Sequence, residues 1–231
     1  MNKNVTKGIV LGLIFLSGNL FSQTTEVTPE KAPEATKSPQ TSFHFILNAV
    51  GSNFNYGKSN RAMADYRKSV SGVQVGGSFQ AGITPRLSFV SEVYFVIKGG
   101  KLKSNNPLTT EEQTTRLYTI ESPVLARIHL GKFHVNAGPS IAYNLAGRLK
   151  RDESVEKLSF SNSNGGFKRL DAVVQVGVGY TFRIKQKQYV VDVRYSYGLT
   201  NISYDKEIYN RYLTLSLYGL KPWKRNPLGR N

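Results

Sequence analysis

In Tyr189-Val190-Val191-Asp192-Val193-Arg194-Tyr195-Ser196-Tyr197-Gly198 the odd positions are all apolar or aromatic, and the even positions after Val190 are Asp, Arg, Ser and Gly. Successive side chains of a β-strand point to opposite faces, so a period of two marks a strand with one apolar and one polar face. The pattern recurs upstream. Ala172, Val174, Val176, Val178, Tyr180 and Phe182 alternate with Asp171, Val173, Gln175, Gly177, Gly179 and Thr181. Phe133, Val135, Ala137, Pro139, Ile141, Tyr143 and Leu145 alternate with His134, Asn136, Gly138, Ser140, Ala142 and Asn144. Val73, Val75, Phe79, Ala81 and Ile83 oppose Gln74, Gly76, Ser78, Gln80 and Gly82, and Leu213, Leu215 and Leu217 oppose Thr214, Ser216 and Tyr218. A face of Gly, Ser, Gln and Asn does not make a dry sandwich core. It can line a narrow barrel, which leaves the apolar face to lipid.

Eight such segments are expected, over residues 43–53, 71–83, 86–98, 116–130, 133–145, 169–184, 188–199 and 211–220. The first is the least regular, because Ile46 interrupts the polar face that His44 and Asn48 would share. Connections alternate in length. Long ones lie at 54–70, 99–115, 146–168 and 200–210, and short ones at Thr84-Pro85, Gly131-Lys132 and Lys185 to Lys187. An even strand count with long outer loops, short periplasmic turns and both ends in the periplasm describes an up-and-down outer-membrane barrel. The fold class expected is therefore all-β: an eight-stranded antiparallel transmembrane β-barrel over residues 43–220 in the outer membrane of a Gram-negative bacterium. A soluble eight-stranded barrel shares the strand pattern but would carry polar residues outside. Phe43, Phe133, Phe182 and Tyr189 fall at the expected periplasmic ends, and Tyr118, Tyr143, Tyr195 and Tyr197 towards the outer ends, as two interfacial girdles would.

Residues 1–22 have the make-up of a secretory signal: Lys3 and Lys7, an apolar run from Gly8 to Phe21, and the small Ser22. An anchoring helix is the alternative, but the run falls short of the ~20 residues a bilayer requires. Residues 23–42 are rich in Thr, Pro, Glu and Lys and form an unstructured lead-in, while residues 221–231 form a basic tail. The absence of cysteine excludes a lipid-modified cysteine, disulfides and Cys metal sites. The formal charge of +16 falls by two, to +14, once Lys3 and Lys7 leave with the signal. For an exported chain the anions at hand are the phosphates of outer-membrane lipid and lipopolysaccharide, so no nucleic acid partner is expected.

Strand parity sends Glu92, Glu121, Arg127, Asp192 and Arg194 into the lumen, where an eight-stranded barrel has room for little beyond its own side chains. These near-balanced charges are expected to pair and plug the bore, with Arg127 and Glu92 as partners on hairpin neighbours; an ion or proton path is the alternative. His129 and His134 flank the Gly131-Lys132 turn and face each other at the periplasmic rim, near His44. A His pair can bind a divalent metal. No carboxylate is evidently placed to complete a site, so a polar rim pair is expected, with no metal and no cofactor. No Ser/His/Asp arrangement occurs. Asp152, Glu153 and Glu156 lie among Arg148, Lys150, Arg151 and Lys157, as in a solvated loop, and the glycine pairs lack phosphate-loop spacing. No catalytic residues are expected.

Three stretches, GVQVGGSFQAGITPRLSFVSEVYFVIKGGKL (72–102), YTIESPVLARIHLGKFHVNAGPSIAYNLAGR (118–148) and DAVVQVGVGYTFRIKQKQYVVDVRYSYGLTNI (171–202), resemble the PorT-type outer-membrane β-barrel domain common in Bacteroidota. Glu121-Ser122-Pro123, Ala137-Gly138-Pro139, and Arg194-Tyr195 followed by Gly198-Leu199-Thr200-Asn201 carry the likeness most clearly. The resemblance implies an outer-membrane barrel, and its namesake's role implies an association with secretion. The functional expectation is a non-enzymatic envelope protein with a structural or accessory role and a plugged lumen. Its outer loops, or its periplasmic basic residues Lys185, Lys187, Lys221, Lys224 and Arg225, would meet envelope or secretion-machinery proteins. A narrow porin-like channel is the alternative, and a lipid-modifying enzyme the third reading.

Overall fold

A computed structural model describes residues 41–107, 109–151, 154–185 and 187–220. The expected signal, all of the lead-in but Thr41 and Ser42, and the basic tail lie outside the described residues. Among the described residues ten strands follow one another: β1 (Ser42–Tyr56), β2 (Arg67–Lys68), β3 (Val70–Thr84), β4 (Leu87–Leu102), β5 (Gln113–Leu130), β6 (Phe133–Arg151), β7 (Ser154–Lys157), β8 (Leu170–Ile184), β9 (Lys187–Gly198) and β10 (Ile208–Leu220). The short β2 and β7 belong to outer loops, where β2 pairs with β4 and β7 with β6. A 3₁₀ segment, Lys58–Tyr66, fills the first loop.

The other eight strands form a closed antiparallel ring. Each pairs with its neighbours in chain order, and β10 returns to pair with β1 through Asn48↔Ser216 to Tyr56↔Ile208. Closure leaves no strand edge with unpaired N–H and C=O groups, the condition hydrocarbon imposes on any spanning sheet. Alternation then decides the faces. On β1, Phe45 is 82% exposed and Leu47 72%, whereas Ile46 between them is 5% exposed. The same reversal runs along β6, β8, β9 and β10, with Ile141, Val178, Tyr195 and Leu215 outside and Ser140, Gly179, Arg194 and Thr214 inside. From Phe133 to Tyr143 the chain climbs ten residues, about 33 Å along the strand and about 25 Å along the axis at a tilt near 40°, the height of a lipid-facing band.

The observed strands overrun the expected ones at their outer ends. β4 continues to Leu102, β5 starts at Gln113 and β6 reaches Arg151. Above the membrane the outward face meets water instead of lipid, so its apolar half of the alternation fades from the sequence while backbone pairing continues. Beyond the membrane β6 also changes parity. Thr119 pairs with Asn144 and Tyr118 with Ala146, leaving Leu145 as an extra residue in a β-bulge. Past the bulge Gly147 turns inward, and Ala146 and Arg148 turn outward.

Two-residue turns join the periplasmic ends. Pro85-Arg86 connects β3 to β4, with Thr84 Oγ1 accepting the Leu87 N–H at 3.0 Å. Gly131-Lys132 connects β5 to β6, and Gly131 holds φ +66°, which suits the first position of a type II′ turn. The turn after β8 begins with Lys185, also at positive φ.

Val176 pairs with Ala137 midway up the lipid-facing band. Val176→Arg is therefore expected to destabilise the barrel by about 2–4 kcal/mol in denaturant unfolding from lipid vesicles. Leu199→Arg, beyond the end of β9, is expected to stay within about 0.5 kcal/mol of the parent.

Candidate functional site

The bore is filled by inward side chains in three tiers. At the periplasmic end, His44 stacks on Tyr218 with ring centroids 4.1 Å apart and planes within 6°. Arg127 donates to Gln80 Oε1 at 2.8 Å and to the Tyr218 hydroxyl at 3.2 Å, and it stands 3.8 Å from Asp192. His129 Nε2 shares a 2.8 Å hydrogen bond with Ser88 Oγ. His129 and His134 lie opposite each other in the ladder, their rings 6.3 Å apart.

The middle tier is a two-pronged ion pair across the barrel. Arg194 donates through Nη1 to Glu92 Oε2 at 2.6 Å and through Nη2 to Glu92 Oε1 at 3.2 Å. Ser78 Oγ adds a donor to the same carboxylate at 3.1 Å. Planar guanidinium against carboxylate in this fork is the strongest of the charge-assisted pairings. Glu121 is the hub of the upper tier. Its carboxylate accepts from Lys98 at 2.9 Å, Ser140 at 2.9 Å, Gln175 at 2.8 Å and the Tyr212 hydroxyl at 2.5 Å. Lys98 also lies over the Tyr212 ring, 4.9 Å from its centroid. Higher still, Asp171 accepts from Asn210 at 2.7 Å and Thr200 at 2.8 Å.

The structure thus places Glu92, Glu121, Arg127, Asp192 and Arg194 inside the bore and buries them. Arg127 is not the partner of Glu92. The β4–β5 register sets Arg127 opposite Ser88, four residues or about 13 Å along the strand from Glu92. The partner comes instead from β9, on the far side of the lumen. Nor is His134 without a carboxylate: its Nε2 meets Asp192 Oδ2 at 2.8 Å, and Asn136 donates to the same oxygen at 2.8 Å. No group of three or more His, Cys, Asp or Glu suited to a metal occurs among the described residues. Sequence reasoning passed over Lys98, although it shares the parity of Glu92, Tyr94 and Val96. Ile46, which breaks the polar face of β1, packs inside with Val50, Tyr94, Val96 and Tyr212.

Glycines on β8 make the contacts between β6 and β9 possible. Gly179 is the cross-strand neighbour of both His134 and Asp192, and Gly177 of both Asn136 and Arg194. A Cβ on Gly179 would collide with the His134 ring, and one on Gly177 would lie 2.8 Å from Asn136 Oδ1. Without side chains on the intervening strand, residues two strands apart bond directly.

An apolar layer closes the outer end. Phe54, Leu117, Phe167, Ile202 and Ile208 pack together over the upper tier, flanked by Tyr56, Leu158 and Phe160. Above it lies a cavity of about 260 Å³ between the loops. Burial pushes the Tyr56 phenol there up to about 12, against the pull of Arg67. Loop ends are pinned by acids. Glu207 accepts the Ser59 backbone N–H at 3.0 Å and its hydroxyl at 2.9 Å, which hold its carboxyl below the usual range. Partial burial opposes ionisation of Asp205, but hydrogen bonds from Lys206, Ser203 and the Gly165 backbone prevail and lower it to about 2.

Breaking the Arg194–Glu92 pair strands a buried charge. Arg194→Leu is expected to cost about 3–5 kcal/mol of barrel stability, and adding Glu92→Leu to recover most of that loss. An unchanged unfolding midpoint in Arg194→Leu would contradict the pairing. Because the folded pKa of Asp205 lies below its unfolded value, its loop contribution is complete above about pH 4 and is lost as pH falls towards 2. Protease cleavage of the 199–207 loop is expected to quicken over that window in the parent and to be fast throughout in Asp205→Asn.

Two solved outer-membrane proteins and one family model are similar to this chain. Ail, the attachment invasion locus protein of Yersinia pestis, solved in complex with the heparin analogue sucrose octasulfate, aligns with 79% of this chain and 99% of its own at 8% identity and a TM-score of 0.41. Neisserial surface protein A aligns with 78% of this chain and 96% of its own at 14% identity and a TM-score of 0.43. No curated protein sequence matches the chain. A family model for the outer membrane protein beta-barrel domain matches residues 21–204, most of the chain. The chain belongs to that family, as an eight-stranded antiparallel barrel of the Gram-negative outer membrane.

Proposed function

We propose that the protein is a non-conducting, non-enzymatic barrel whose own side chains plug its bore, and that its role in the envelope is structural or accessory. The observation that carries this reading is the cross-lumen bonding of Arg194 to Glu92 and of Tyr212 to Glu121, which Lys98 also binds from the neighbouring strand, beneath the apolar layer of Phe54, Leu117 and Ile202. An ion path needs charges that face water and exchange partners. Here each carboxylate is held by several fixed donors, in a bore whose diameter an eight-stranded ring limits to its side chains. The same fixing of the carboxylates disfavours chemistry in the lumen, since a general acid or base must be free to reach a substrate.

What remains available for recognition is the surface. The outer loops together with the outer strand ends carry most of the described basic residues, on the side that would face the phosphates of lipopolysaccharide. On the periplasmic side, Lys185 and Lys187 frame the last turn. The PorT-type likeness of residues 72–102, 118–148 and 171–202 supports a place beside envelope or secretion-machinery proteins, with these basic ends as the contact surfaces.

Planar-bilayer recording of the purified barrel tests the plug. No steady unitary conductance is expected from the parent, whereas removal of both Glu92 and Arg194 side chains to alanine is expected to give intermittent currents. Steady currents in the parent would overturn the reading in favour of a narrow channel.

A further inference from the structure

The bulge at Leu145 has a consequence on the outside of the barrel. By shifting parity it turns Arg148 outward, away from the bore that strict alternation would send it into. There it sits in register with two other cations. Arg116 on β5 pairs directly with Arg148, and Lys157 on β7 pairs with Arg148 from the other side. Directly paired residues share a face, so Arg116, Arg148 and Lys157 form one row across three strands. Arg148 and Lys157 line an outward groove of about 460 Å³ walled by Tyr118, Leu145, Ala146 and Phe160, which Arg169, just before β8, also borders.

Like charges directly opposite in a ladder repel, and a sheet normally avoids them. Among the described residues none of these four cations has a carboxylate partner. Glu112 is taken by Lys101 and Glu156 by Arg151. Arg169 spends one nitrogen on the Asn144 and Leu145 carbonyls, at 3.0 and 3.2 Å, and lies over the Phe160 ring at 4.5 Å. Arg148 lies over Tyr118 at 5.9 Å. Aromatic stacking of this kind orients a guanidinium while leaving its donors free for an anion.

The height of the row identifies the anion. Tyr143 marks the top of the lipid-facing band, and Arg169 lies over its ring at 5.8 Å. Arg148 follows within a few residues. Ile141 and Leu170 present apolar surface below, 67% and 64% exposed. Acyl chains against the lower wall would bring their head group level with the cations. We infer that this face of β5–β6–β7 binds the phosphorylated head group of an outer-leaflet glycolipid, with Arg148 and Lys157 as the central ligands and Arg116 and Arg169 at the sides. Phosphate suits the row because one polyanion takes up several guanidinium and ammonium donors at once. The site deepens the lipopolysaccharide contact proposed above and rests on these loops lying outside the cell.

Titration of detergent-solubilised protein with diphosphoryl lipid A tests the site. The Arg148→Gln/Lys157→Gln double variant is expected to bind at least about tenfold more weakly than the parent, with Arg148→Lys between the two. Fully dephosphorylated lipid A is expected to bind no better to the parent than to the double variant, and inorganic phosphate at equal concentration is expected not to displace lipid A. In lipid-free detergent the double variant should melt no lower than the parent, since it loses repulsion and no ion pair; this separates a lost site from a lost fold. Undiminished lipid A binding by the double variant, equal binding of the dephosphorylated lipid, or displacement by free phosphate would each overturn the proposal. The chain has no cysteine, so Asn162→Cys reports orientation alone. Its labelling on intact cells by a membrane-impermeant maleimide is expected. An unlabelled loop would defeat the outward orientation, and the site with it, whereas a labelled loop with no lipid A binding would defeat only the site.

Discussion

Hydrocarbon cannot hydrogen-bond a peptide group, and this one constraint shapes the molecule. An open sheet would leave two edges unpaired in lipid at several kcal/mol per group. The chain meets the constraint by returning β10 to β1, so that every spanning strand has a partner on each side. With eight strands the ring is narrow, and a narrow ring must be filled from within. Glycines on β8 and small polar residues elsewhere follow from that crowding, and so does the bonding of His134 to Asp192 past Gly179.

The interior charges follow from the same geometry. Side chains on one face of a spanning strand meet lipid and those on the other meet the bore, so a charged residue within the membrane has only one admissible direction. Once inside and away from water it must be paired. Arg194 with Glu92 across the lumen and Lys98 with Glu121 on neighbouring strands satisfy that requirement, and hydroxyl, amide and phenol donors add to the two carboxylates. Above them polar packing gives way to the apolar layer around Leu117 and Ile202. That layer separates the packed bore from the loops above it.

How much of this could be read from the residues depended on whether one strand carried the information by itself. Alternation on β6, β8, β9 and β10 is local, and it assigned inward and outward faces correctly because a one-residue slip would have put Asp192 and Arg194 into lipid. The alternation of long and short connections is likewise local. Partner choice across the lumen is not. Whether Arg194 or Arg127 meets Glu92 depends on relative strand heights around the ring, and hairpin adjacency misled because Arg127 pairs with Ser88 instead. Lys98 closes the expected segment 86–98 with the parity of Glu92, so its inward direction is legible in the residues, whereas its pairing with Glu121 depends on the β4–β5 register. The Leu145 bulge left no mark at all, and so the cations it re-aims read as an ordinary solvated loop.

The claim beneath all of this is that the valine-and-tyrosine side of the ribbon meets acyl chains and the glycine side does not. Spin labels placed singly at residues 173 to 180 of the reconstituted barrel test it most directly. Collision with dissolved oxygen, which concentrates in hydrocarbon, is expected to peak at 174, 176, 178 and 180 and to fall at the positions between. A flat profile, or peaks at 173, 175, 177 and 179, would contradict it.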